Sequence, residues 1–289
     1  MFRLSDAAKE RSFRLAYHDE LASTNDEAML RARQGAEGRL WIVAGTQSKG
    51  RGRNGRNWVS PRGNLHASLL LIDPAPAQQA PELGFVCGLA AHEALQACLK
   101  GDAQLAIKWP NDILHAGAKL AGLLLESTAL PNRSIACVAG IGINCCQHPE
   151  ETPYPATDLS RITGEPIAPE TVFDALASAM AGWLAIWAHG TNFAAIRAEW
   201  MKRAKGIGEP IIVQRRTDRL SGIFETIDAG GRLILRRNEE RIAVEAGDVF
   251  FAAPSPGSTQ ADVMSVSEEA SSSSAPLGPA RRQATGIGP

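Results

Sequence analysis

Apolar side chains come in short unbroken runs along the first half of the chain and at helical spacing elsewhere. Leu40-Trp-Ile-Val-Ala44 reads as a strand. From Gly45 to Asn64 apolar periodicity stops in a stretch of Gly, Arg and Asn that predicts a long loop, and His66 to Ile72 resumes as a second strand. Glu82 to Leu99 places Leu83, Val86, Leu89, Ala90 and Leu95 on one helical face. After Gly101-Asp102, strands are expected at Leu105 to Trp109, Leu120 to Glu126 and Ile135 to Ile143, with a hairpin turn at His115-Ala-Gly-Ala118 between the first two. Upstream, Thr24 with Glu27 three residues on has the form of a capping box, so a helix is predicted to start near Asn25.

Beyond the Pro- and Gly-punctuated segment 149–169, two helices are predicted at about 170–188 and 192–204, the second with Phe193, Ile196, Trp200 and Met201 on one face. From Glu209 the texture changes to short strands, Ile211-Ile-Val213, Gly222-Ile-Phe224, Leu233-Ile-Leu235 and Ile242-Ala-Val244, separated by turn signals such as Asp228-Ala-Gly-Gly231. They predict a small β-barrel over 207–253 behind a larger domain over 1–206. The remaining 254–289 is rich in Ser, Pro, Gly and Ala and cannot offset its ordering entropy, so a disordered tail is expected.

Composition narrows the classes. The 289 residues exceed the usual single-core size, so two cores are expected. Thirty Lys+Arg against 31 Asp+Glu give a net charge of −1, which argues against a dedicated nucleic-acid binder. No apolar run approaches the roughly 18 residues of a membrane span, and the charged residues 1–22 do not form a secretory signal, so a cytoplasmic protein is expected. Cys87, Cys98, Cys137, Cys145 and Cys146 are odd in number and lack C-x-x-C spacing, which suits reduced structural thiols.

Against that neutral balance, no acidic residue lies between Glu37 and Asp73, whereas Arg39, Lys49, Arg51, Arg53, Arg56 and Arg62 all do. Gly50-Arg-Gly-Arg-Asn-Gly55 matches the dinucleotide spacing G-x-G-x-x-G, but Arg56-Asn-Trp-Val-Ser-Pro61 cannot open the helix that fingerprint requires. A P-loop fails too, because Arg51-Gly52 follow Gly50 where Lys and Ser/Thr are needed. Taken alone, the loop suits a solvated basic segment as well as an anion site. Lys108-Trp-Pro-Asn-Asp112 at a strand end and Lys119 on the return strand bring two amines, an amide and a carboxylate to one end of the sheet. Singly, Asp112 suits a turn and Lys119 a strand edge; together they suit a site where a polyphosphate and a carboxylate meet.

These residues resemble the biotin protein ligases, over roughly 15–253 and in the family's order: Ser23-Thr-Asn25, Gln47 to Trp58, Lys108-Trp-Pro-Asn-Asp112, Lys119-Leu-Ala-Gly122 and Gly140-Ile-Gly-Ile-Asn144. The resemblance implies an α+β fold, a class II aminoacyl-tRNA-synthetase-like mixed sheet with helices, followed by a small SH3-like barrel. It implies that biotin and ATP, with Mg²⁺, give biotinyl-5′-AMP, whose biotinyl group passes to a lysine of a biotin carboxyl carrier protein. Lys119 and Arg53 map to the catalytic positions. Ser23, Thr24, Asn25, Gln47, Gly50, Arg51, Gly52, Arg53, Lys119, Gly140 and Asn144 map to the biotin side. Arg53, Arg56, Trp58, Asn111, Asp112 and Lys119 map to the nucleotide side, with Asp112 near the metal. Lipoate ligation is the rival within the fold, and an Arg/aromatic nucleic-acid strip the rival outside it. Only 22 residues precede Ser23, too few for the DNA-binding domain that some members carry, so the monofunctional form is expected, as monomer or homodimer. Ordering Lys49 to Arg56 costs on the order of 1–2 kcal/mol per residue, so a loop that is mobile without ligand and folds over the adenylate is expected.

Overall fold

The computed structural model describes residues 1–100, 104–152 and 154–251, and the predicted tail and Gly101-Asp102 lie outside them. A seven-stranded sheet runs in the order β1-β2-β3-β7-β6-β5-β4. Its strands are β1 (Arg14–Leu21), β2 (Leu40–Gln47), β3 (Leu65–Ile72), β4 (Leu105–Lys108), β5 (Asp112–His115), β6 (Ala118–Ala129) and β7 (Ile135–Ile143). Only β1 and β2 pair in parallel; every other ladder of this sheet is antiparallel. The helices are α1 (Asp6–Glu10), α2 (Thr24–Arg33), α3 (Leu83–Cys98), α4 (Leu159–Thr163), α5 (Pro169–Trp187) and α6 (Phe193–Arg203).

Strand periodicity of two explains why β2, β3 and β7 read as continuous apolar runs: both faces are covered. Trp41, Val43, Leu69, Leu71, Cys137 and Ala139 face the main cluster with α3 and α5, while Leu40, Ile42, Leu70 and Val138 face a smaller cluster under α2. Further along these strands the α2-side positions turn small or polar: His66 and Ser68 on β3, Gly140 and Gly142 on β7, Gly122 on β6. That break in the apolar surface is where the site lies.

The second sheet has five strands in the order β11-β10-β9-β8-β12, all antiparallel. They are β8 (Pro210–Gln214), β9 (Arg219–Ile227), β10 (Leu233–Arg237), β11 (Glu240–Val244) and β12 (Asp248–Phe251). A segment of this length buries little on its own, being close to the roughly 40 residues below which a chain rarely folds unaided. Accordingly Ile211, Val213, Phe224, Leu233 and Val249 join the main cluster instead of forming the separate second core expected from length. No helix among the described residues is long and apolar enough to cross a membrane. All five cysteines are free, and burial pushes the Cys87 and Cys145 thiols up to about 12.

Candidate active site

The site begins at the first turn of α2. The cap is Ser23, not Thr24: Ser23 Oγ accepts from Asp26 N at 3.3 Å. Thr24 is thereby free to face the sheet, where its N–H and Oγ1 donate to Gln47 Oε1 at 2.8 and 3.0 Å. Gln47 Nε2 donates to Ser60 Oγ at 2.8 Å. Ser68 Oγ lies 2.7 Å from Thr24 Oγ1 and 2.6 Å from Asn25 Oδ1, and Asn25 Nδ2 donates to Glu126 Oε2 at 2.7 Å. Ser23, Thr24 and Asn25 are each only 4% exposed, so this network fixes polar groups in a region shielded from water. Gly140 is required beside it, because a Cβ there would come within 2.3 Å of Asn25 Oδ1.

The next layer is cationic. Between β5 and β6 the register shifts after Ile113, inserting Leu120 as an extra residue and turning Lys119 toward Gly122. Lys119 Nζ lies 2.7 Å from Asp112 Oδ1 and 5.4 Å from the centroids of the Trp58 and Tyr154 rings. Lys108 Nζ is ringed by Tyr154, Phe250 and Phe251 at 5.5, 5.7 and 5.9 Å. Burial pulls its pKa below the usual lysine range, with Asp112 acting in the opposite sense. The Trp58 indole covers the glycine floor: a Cβ on Gly142 or Gly122 would come within 2.4 or 2.9 Å of it.

The basic loop crosses this floor. Arg51 pairs with Asp26 at 2.6 Å and Glu126 at 3.1 Å, and these carboxylates hold the guanidinium pKa above its ordinary value. Arg53 Nη1 donates to Asn111 Oδ1 and to the Gly247 carbonyl, both at 3.2 Å, and lies 3.7 Å from Asp248 Oδ1. Arg56 also bonds Asp248. The loop that lacks acids in sequence is therefore paired with carboxylates from α2, β6 and β12.

Ser23, Thr24, Asn25, Gln47, Arg51, Gly52, Arg53, Arg56, Trp58, Asn111, Asp112, Lys119 and Gly140 all line one cavity. Gly50 and Asn144 do not. Gly50 supports the loop from behind, since a Cβ there would meet Ser60 Oγ and Trp58 O at 2.5 Å. Asn144 is 3% exposed and donates to the Thr157 carbonyl at 3.0 Å. The neighbouring Cys145 and Cys146 use their N–H groups to hold Asn64 Oδ1, at 2.9 and 3.0 Å. His66, Tyr154, Asp248 and Phe250 line the same cavity and carry no motif of their own. For His66 and Ser68 a signal exists, two polar residues at strand spacing inside an apolar run. Among the described residues no group of three or more His, Cys, Asp or Glu is placed to hold a metal.

A glycine-floored cavity ringed by arginines and lysines, beside a buried polar pocket, suits the binding of two anions. The biotin/lipoate A/B protein ligase family model matches residues 19–144, and the biotin protein ligase C-terminal domain model matches 206–252. A biotin–[acetyl-CoA-carboxylase] ligase of Paracoccus denitrificans is 43% identical over 79% of this chain and 97% of its own. The bifunctional ligase/repressor BirA of Bacillus subtilis is 33% identical over 81% of this chain and 73% of its own. Among solved structures, the biotin protein ligase of Aquifex aeolicus in complex with biotin and ATP superposes with a TM-score of 0.69 at 26% identity, covering 83% of this chain and 98% of that one. The chain belongs to the biotin protein ligase family.

Proposed function

We propose that this protein joins biotin to ATP as biotinyl-5′-AMP, releasing pyrophosphate, and then passes the biotinyl group to a lysine of a biotin carboxyl carrier protein. The observation that carries the reading is the convergence of Lys119, Lys108 and Arg53 over a glycine floor, next to a buried hydrogen-bonding pocket. In the first step a biotin carboxylate oxygen attacks the α-phosphorus and pyrophosphate leaves with the bonding electrons. Two unit charges about 4 Å apart repel by roughly 4 kcal/mol at an effective dielectric near 20, and the reacting groups must come closer than that. Lys119 and Arg53 cancel this repulsion and stabilise the charge that gathers on the phosphoryl oxygens. In the second step the carrier amine attacks the acyl carbon, AMP leaves through its phosphate oxygen, and the amine loses a proton to solvent.

Ser23, Thr24, Asn25, Gln47 and Gly140 serve biotin in this reading, with Arg51 and Gly52 over its carboxylate. Arg56, Trp58, Asn111 and Asp112 serve the nucleotide. Asp112 offers one carboxylate, which suits an Mg²⁺ carried by the nucleotide and not one caged by protein; the ion would add positive charge there. Gly50 and Asn144 act by positioning, through the contacts described above. The compartment assigned is the cytoplasm. Biotin-dependent exchange of radiolabelled pyrophosphate into ATP tests the first step. Exchange with biotin and none with lipoate is expected; the opposite preference, or no exchange, overturns the assignment.

A further inference from the structure

His66 precedes Ser68 by two residues on β3, so its side chain projects from the same face, into the cavity. The residue is 1% exposed. Its Nε2 lies 3.0 Å from the Pro61 carbonyl oxygen. A carbonyl oxygen only accepts, so Nε2 carries the hydrogen and Nδ1 of the neutral ring is a bare acceptor. Burial lowers the pKa of His66 from 6.5, which keeps the ring neutral near pH 7. Nδ1 has no hydrogen-bond partner among the described residues.

Directly across the ladder from His66 stands Gly142, and opposed residues of an antiparallel pair point to one face. On that face the Trp58 indole covers Gly142, with Nε1 only 2.5 Å from where a Cβ would be. This N–H is also buried and without an acceptor. A bare acceptor and a bare donor thus share one patch of wall, next to a pocket in which Thr24, Asn25, Gln47 and Ser68 bond one another. Buried polar groups are almost always satisfied, so an orphaned pair of opposite sense marks a place where a ligand completes the bonding.

We propose that His66 Nδ1 and Trp58 Nε1 are specificity-determining groups that read one edge of a bound substrate, an N–H lying beside a hydrogen-bond acceptor. The inference rests on the ligase reading. Two molecules of that reaction carry such an edge: the ureido ring of biotin and the adenine base. Carboxylate and phosphate do not, and the His66 lone pair repels both. The wall pair therefore selects a neutral heterocycle, while the arginines and lysines handle the anions.

Two substitutions separate the ring nitrogens. His66→Gln keeps an amide nitrogen near the Nε2 position and has nothing at Nδ1; His66→Asn places an amide oxygen near Nδ1 and cannot reach Pro61. Calorimetric titration of the full chain with biotin and, separately, with ATP is expected to show about tenfold weaker binding of one ligand by His66→Gln and by Trp58→Phe, with most of it restored in His66→Asn. The ligand affected identifies the edge. Ureido-N-methylated biotin, or purine riboside triphosphate lacking the exocyclic amine, should bind the wild type and His66→Gln equally. His66→Gln binding both ligands within twofold of wild type overturns the proposal. So does an equal loss for parent and analogue, which is the mark of a merely structural histidine. Should the variants fail to fold, wild-type protein binding the analogues as tightly as biotin and ATP overturns it alone. Pyrophosphate exchange by the wild type is run alongside, so failure of the ligase reading is seen separately.

Discussion

Lys119 holds a buried carboxylate and, in the proposed reaction, also serves the chemistry; substitution separates the two tasks. Lys119 and Asp112 are 14% and 13% exposed at the side chain and 2.7 Å apart. Lys119→Ala strands a buried carboxylate, and breaking such a pair costs about 3 kcal/mol, read as a lower melting temperature. The double variant Asp112→Asn/Lys119→Met removes both charges and should recover most of that stability, while pyrophosphate exchange stays depressed by roughly 10²–10³-fold in both proteins. Recovery of exchange along with stability would make Lys119 a structural residue only. His92, 7% exposed in α3, tests the packing itself. Burial, helped by Arg203, lowers its pKa from 6.5. As pH falls through 6.5 the unfolded chain takes up a proton that the fold refuses, so stability declines until the lower folded pKa is reached. His92→Asn should flatten that decline between pH 7 and 5 in thermal melts; an unchanged slope would show that His92 protonates freely in the fold. Residues of this kind differ in how far sequence betrays them. Lys119, Gln47 and Ser23-Thr-Asn25 sit in compact motifs, whereas Asp248 and Tyr154 reach the cavity from distant segments and leave no local trace. Even a legible motif misassigned one role, since the cap at Ser23 is what releases Thr24 to face Gln47.

At the scale of elements, apolar pattern locates a strand when both its faces are covered and fails at the edges. β2, β3 and β7 are covered on both faces and their apolar runs are readable, although β2 continues to Gln47. β1 carries Arg14, His18, Asp19 and Glu20 on the sheet edge and gives no such signal. β5 is four residues long and merges in sequence with the turn after β4. The glycine floor is legible only in part: Gly122, Gly140 and Gly142 are visible in the motifs, but what they make room for comes from α2 and the loop. Gly142→Ala tests that reading. Its Cβ would lie 2.4 Å from the Trp58 indole, and Trp58 lies outside the strands whereas the β7 backbone at Gly142 is paired with β3 and β6. Strain is therefore relieved by displacing the indole, and melting temperature should change by no more than a few degrees. Pyrophosphate exchange should fall at least about tenfold, because a displaced Trp58 no longer walls the cavity. A large loss of stability with unaltered exchange would instead place the glycine in the service of the sheet.

The whole molecule is tied together at the point where the small sheet meets the basic loop. Asp248 at the start of β12 takes both Arg53 and Arg56, and the preceding Gly247 carbonyl takes Arg53 as well. One carboxylate thus occupies two guanidinium groups that a nucleotide phosphate would use. Such pairs are partly exposed and worth about 0–1 kcal/mol each, less than the roughly 10 kcal/mol of backbone entropy in the eight residues from Lys49 to Arg56. The contacts can guide the loop but cannot by themselves hold it shut, so in the proposed reaction closure falls to the ligand. Asp248→Asn removes the charge and keeps the shape. Without ligand, trypsin should cut after Arg53 and Arg56 up to about fivefold faster in the variant, and high salt should bring the wild type to the same rate. With biotin and ATP bound, both proteins should be protected alike, since the phosphate then supplies the anion that Asp248 provided. Equal cleavage of the unliganded proteins at low salt would show that the small sheet has no hold on the loop. Persistent cleavage of the liganded variant would mean that Asp248 remains part of the closed state and does not give way to the phosphate.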